Sequence, residues 1–81
     1  MLAAMASNIK TVYVRLFGEG TDVFRPTKAI MLSDSKFRLL QTANYDPEDE
    51  VWEFPPGSVV FCELRSFDGE EVLLASEIVT E

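Results

Sequence analysis

The sequence predicts an all-β fold, a small five-stranded SH3-like barrel with one short helical turn. Apolar and polar residues alternate with a period of two through most of the chain. Glycine, proline and aspartate turn signals separate the alternating segments at short intervals. The 81 residues are enough for one domain. An OB-like barrel is the second choice, because that fold usually carries a longer helix between its third and fourth strands.

The alternation defines each strand in turn. In the first, Val12 and Val14 share one face, whereas Tyr13 and Arg15 share the other, as a half-buried strand requires. Pro26 lies inside the second strand, where it cannot donate a ladder hydrogen bond, and it therefore predicts an edge, a bulge or an irregular entry. The five predicted strands are residues 9–17, 23–32, 36–41, 58–66 and 71–79.

Two turns have a clear local cause. Asp68-Gly69 lies between alternating apolar segments and predicts a two-residue hairpin. Asp46 can cap a short helical turn with Pro47 preset at its first position. The carboxylates of residues 48–50 would then lie near the positive end of the turn.

The ends and the cysteine content set the expected context. Residues 1–8 are expected to form a loosely held lead, and residues 9–81 a single barrel domain. The first residues lack the pattern of a signal peptide, and no apolar run approaches the length of a membrane span. Cys62 is the only cysteine, so no internal disulfide can form, which indicates a reducing, cytoplasmic location.

The residue types argue against catalysis. The chain has no histidine, and Cys62 lies in an apolar run without a basic neighbour. Asp46, Glu48 and Glu50 alternate like hard ligands but lack the glycine and the terminal glutamate of a calcium loop. We therefore predict a protein that is not an enzyme and that holds no metal and no other cofactor.

The net charge of the chain indicates which class of partner it can bind. Seven basic and fourteen acidic residues give a net charge of −7, which repels a nucleic-acid backbone and suits a basic protein partner. In SH3 domains, aromatic side chains beside an acidic loop form a groove for peptides with basic anchors. The predicted binding surface combines the acidic and aromatic residues of two segments: Asp22, Phe24, Arg25, Glu48, Asp49, Glu50 and Trp52.

The aromatic residues of this surface could instead belong to the core and have no role in binding. Trp52 and Phe54 would, in that case, close one end of the small core. We also predict that the two segments meet, with Arg25 packed over Trp52. The change Arg25→Ala should then alter the fluorescence of Trp52.

Two segments of the chain resemble sequence motifs of known proteins. Residues 19–26 read Glu-Gly-Thr-Asp-Val-Phe-Arg-Pro, and residues 47–57 read Pro-Glu-Asp-Glu-Val-Trp-Glu-Phe-Pro-Pro-Gly. They resemble a group of small bacterial proteins of unassigned function with GTDV(W/F)RP-like and PEDExWxFxPG-like segments, and the likeness covers residues 10–79. Phe24 stands where that group leads us to expect tryptophan. The resemblance implies one compact β domain and brings no activity or cofactor.

These observations predict a non-catalytic protein-binding or regulatory module, a monomer or a weak dimer, with a protein partner and no membrane association. The alternatives are an inhibitor that mimics nucleic acid, for example one encoded by a phage, and a small nucleic-acid-binding barrel. The first would spread carboxylates over one face, and the second would need aromatic residues within a basic groove.

Overall fold

The computed structural model describes residues 8–18 and 23–80, and these form an all-β fold without a helix. The predicted strands are confirmed with small shifts at their ends. The predicted lead falls outside the described residues except for Asn8, as do residues 19–22. The strands are β1 (Ile9–Phe17), β2 (Val23–Met31), β3 (Lys36–Leu39), β4 (Val51–Trp52), β5 (Val59–Phe67) and β6 (Glu70–Ile78).

Five of these strands close into a ring, which confirms the predicted barrel-like architecture. β1, β2, β3, β5 and β6 follow one another around the ring through antiparallel pairs. A short parallel pairing of β1 with β6, Val12 to Leu73 and Tyr13 to Leu74, completes it. Apart from the closing pair of β1 with β6, the ring strands follow their order along the chain, with only β4 left out between β3 and β5; this meander order differs from the Greek key of an OB-fold.

β4 is a sixth strand that was not predicted. Its two residues pair with the end of β1, Val51 with Phe17 and Trp52 with Leu16. Two residues are too few to show an alternation, and therefore the sequence pattern could not reveal this strand. Because Trp52 pairs with the buried Leu16, its side chain lies beside the face of β1 that points into the core.

Both predicted turns are present. Asp68 and Gly69 have φ angles of 53° and 84°, as the two central residues of a type I′ hairpin require. The backbone N–H of Glu48 donates to Oδ1 of Asp46 at 2.9 Å, and the N–H of Glu50 donates to the Asp46 carbonyl at 2.9 Å. The acidic run thus begins with one capped turn and does not extend into a helix.

The core lies inside the ring and consists of the inward residues of the alternating strands. Phe37, Leu39 and Val60 are among its largest fully buried side chains. Thr27 is also buried, and its hydroxyl donates to the Leu40 carbonyl at 2.6 Å, so its polar atom is satisfied. The buried apolar residues are Val12, Val14, Leu16, Ala29, Phe37, Leu39, Trp52, Val60 and Ala75.

Pro26 lies at a local edge, as predicted. β2 pairs with β1 along most of its length but with β3 only through Ala29–Met31. The Lys28 carbonyl accepts from the N–H of Leu40 on the β3 side. Because backbone groups alternate along a strand, those of Pro26 point to the same, open side.

Candidate functional site

The Glu50 carboxylate joins the two segments of the predicted surface. The indole Nε1 of Trp52 donates to its Oε1 at 2.9 Å. Nε of Arg25 donates to the same oxygen at 3.3 Å, and Nη2 of Arg25 donates to Oε2. The hydrogen bonds from Trp52 and then from Arg25 lower the pKa of Glu50. This carboxylate is therefore already occupied by groups of its own chain.

Trp52 belongs to the core. It is only 4% exposed, and the ring of Tyr45 lies edge-on to it with the centroids 5.0 Å apart. Phe54 is half-buried and packs against the same core. Both rings therefore contribute to the core, and Trp52 does not line an open groove. Arg25 reaches Trp52 through Glu50, so the two segments do meet, but by an ion pair and not by a stacked guanidinium.

The other residues of the predicted surface lie apart from this ion pair. Glu48 and Asp49 are exposed on the capped turn, and Asp22 lies outside the described residues. Phe24 and Arg25 are adjacent on β2 and hence point to opposite faces of the sheet. Arg25 pairs with the buried Val14, whereas Phe24 pairs with the exposed Arg15. The structure thus places Phe24 and Trp52 on opposite sides of the sheet.

Phe24 instead belongs to a cluster of rings on the outside of the barrel. Its centroid lies 5.4 Å from that of Phe67, and Tyr13 contacts Phe67 edge-on with centroids 6.4 Å apart. All three residues are half-buried. We call Tyr13, Phe24 and Phe67 the outer aromatic face. In the sequence, the position of Tyr13 on the polar side of β1 is a signal that its ring lies outside the barrel. No local pattern connects Tyr13 with Phe67.

A depression of about 320 Å³ adjoins this face. β1 and β6 pair at Tyr13 and Leu74 and separate beyond them, and residues from both strands line the opening. Among the lining residues, Glu63 and Arg65 form an ion pair at 3.1 Å. The lining consists of Arg15, Phe24, Glu53, Glu63, Arg65, Leu74, Ala75 and Ser76.

A second groove runs between β2 and the segment after β3. It consists of two depressions of about 380 and 370 Å³ that share Pro26, Thr42 and Ala43. Arg25 and Glu50 line one of them, but they are engaged with each other. Its walls otherwise carry threonine, amide and lysine side chains, and no aromatic ring lines it.

Cys62 is the titratable group whose pKa is raised by burial. Burial raises the pKa of the Cys62 thiol to about 11, and hence little thiolate forms at neutral pH. Within residues 8–18 and 23–80, no three histidine, cysteine or acidic side chains are grouped to hold a metal ion. The same part of the chain contains no helix with the length and hydropathy to span a membrane.

Comparisons with known proteins add no assignment. No protein-family model matches the chain, and searches of curated proteins and of solved structures found no significant match. The resemblance to small bacterial proteins therefore stays a prediction.

Proposed function

We propose that the protein is a non-catalytic protein-binding module, which docks a segment of a partner protein on its outer aromatic face. The observation that carries this proposal is the cluster of Tyr13, Phe24 and Phe67 on the solvent side of the sheet. This face replaces the Trp52 groove that the sequence suggested, since Trp52 is in the core. The module acts as a monomer or a weak dimer.

The cluster has features of an interaction surface. Aromatic side chains bury large areas and are enriched at the centres of protein interfaces. On the same side of β1, Phe17 is 47% exposed, and its cross-strand neighbour Val51 is 54% exposed. Exposed apolar side chains that share one side of a sheet with an aromatic cluster add to the apolar area that a partner can cover.

The charges favour a protein over a nucleic acid as the partner. A platform for single-stranded nucleic acid combines aromatic rings with a basic groove. Here Glu53 and Glu63 balance Arg15 and Arg65 in the lining of the depression beside Phe24, so the groove is not basic, and the whole chain carries a net charge of −7. Mimicry of nucleic acid would instead use carboxylates such as Glu48 and Asp49, which lie on the capped turn and belong to neither the aromatic cluster nor the lining of the depression.

The test is selection from a random library of phage-displayed peptides on three immobilised proteins: the unchanged chain, Phe24→Ala and Phe61→Ala. Phe61 is a matched control, because it is another half-buried aromatic residue, and its ring lies under Lys36 at 5.9 Å. We expect enriched peptides on the unchanged chain and on Phe61→Ala, and their loss on Phe24→Ala. Circular dichroism and the fluorescence of the buried Trp52 verify that each variant folds.

Equal binding to folded Phe24→Ala would refute the proposal. Binding that disappears at high salt in all three proteins would favour mimicry of nucleic acid, since such binding depends on exposed charge. Retention of a single-stranded oligonucleotide at moderate salt, sensitive to Phe24→Ala, would favour the nucleic-acid-binding alternative.

A further inference from the structure

We infer that the partner anchors itself with an arginine or lysine side chain, inserted into the depression between Phe24, Leu74 and Glu53. This inference depends on the proposed function, because it specifies what the partner presents to the same surface.

Glu53 is the carboxylate that is available to a partner. It is half-buried, and its backbone N–H donates to the Arg15 carbonyl at 2.8 Å, which fixes it beside β1. Within the described residues its carboxylate has no ion pair and no hydrogen bond. By contrast, Glu63 is held by Arg65, and Glu50 by Arg25. A carboxylate without a partner, on a half-buried residue, favours a cation.

The apolar side chains within the lining suit the stem of a long cationic side chain. Arginine and lysine pack their methylene groups on apolar surface while the charged head stays at a polar group. Phe24 and Leu74 line the same depression as Glu53, and the ring of Phe24 can also attract a cation over its face. A volume of about 320 Å³ leaves room for one such side chain.

The charge balance permits a cation to enter. The lining includes two arginines and two glutamates, so the local charges cancel, and Arg65 is already compensated by Glu63. At longer range the net charge of −7 draws cationic segments toward the protein. A contact with Glu53 must therefore be distinguished from this general attraction.

The experiment compares Glu53→Gln with Glu48→Gln, which removes the same charge from the exposed capped turn. Peptides selected on the unchanged chain should share a central arginine or lysine. Replacing that residue with citrulline or norleucine should weaken binding about tenfold, as loss of a charge-assisted hydrogen bond does. Glu53→Gln should weaken the binding of the parent peptides by a similar factor, whereas Glu48→Gln should leave it within about twofold.

Three results would overturn the inference. The selected peptides could lack a cationic residue, Glu53→Gln could bind as well as the unchanged chain, or the two glutamate variants could weaken binding equally. If Phe24→Ala still abolishes binding in these cases, the proposed function stands and only the arginine or lysine anchor is wrong. A selection that returns no peptide counts against both.

Discussion

Replacing Glu50 with alanine should destabilise the barrel more than any other change in the acidic run. The carboxylate accepts from Nε1 of Trp52 at 2.9 Å and is paired with Arg25. Removing it leaves the N–H of an indole that is 4% exposed without its acceptor. Glu50→Gln keeps a carbonyl oxygen for the indole but loses the charge and the oxygen that accepts from Nη2 of Arg25, so it separates the indole hydrogen bond from the ion pair.

The magnitudes follow from the burial of each partner. A buried donor left without a partner costs about 1–3 kcal/mol. The guanidinium side of the pair is worth only about 0.2–1 kcal/mol, because the Arg25 side chain is 41% exposed and solvent screens it. Glu50→Ala should therefore lower the free energy of unfolding by about 1–4 kcal/mol, whereas Glu50→Gln and Arg25→Ala should each lower it by about 1 kcal/mol or less.

Urea unfolding measures these differences, with the single Trp52 as the fluorescent probe and circular dichroism as a second probe. A change of 1 kcal/mol corresponds to roughly 4–8 °C in melting temperature for a domain of this size. If Glu50→Ala is no less stable than Glu50→Gln, the indole does not depend on this carboxylate, and the reasoning is refuted. Arg25→Ala should also change the Trp52 emission spectrum, because it removes the ion pair that orients Glu50.

Two further predictions concern titratable groups. The pKa of Glu50 lies below its usual value of 4.5, so its interactions stabilise the fold above that pH and are lost as the pH falls through the lowered pKa. Urea titrations should show a constant stability gap between the unchanged chain and Glu50→Gln above pH 4.5, and the gap should close in more acidic solution; a gap that stays open would contradict this. Cys62, with a pKa of about 11, should react with iodoacetamide at pH 8 roughly a hundredfold or more slowly than in urea-unfolded protein, and a rapid reaction of the folded chain would show that the thiol is accessible.

The strands could be predicted from sequence because their cause is local. Alternation in β1 assigns Val12 and Val14 to one face, and both are fully buried. The positive φ angles that a two-residue hairpin requires explain why Asp68-Gly69 identifies the turn. The capping of Asp46 depends on residues within the next few positions. In each case the determining contacts lie within a short stretch of chain.

The binding surface could not be predicted as well, because it depends on contacts between strands. Alternation shows that Phe24 and Arg25 face opposite ways, but not which way is the core. Glu50 reads as one more acidic residue in an exposed run, although it is the acceptor of a buried indole N–H. Phe67 meets Phe24 only because the ring closes through β1 and β6.

The position of Pro26 also bears on how the molecule avoids polymerisation. A strand with an open side is a template on which another extended chain can build a continuous ladder, and edge-to-edge growth of this kind leads to aggregation. On that side of β2 the ring of Pro26 replaces an N–H, so an incoming chain lacks a donor there. Proline thus lets the barrel keep one seam unpaired without making that seam a site of fibril growth.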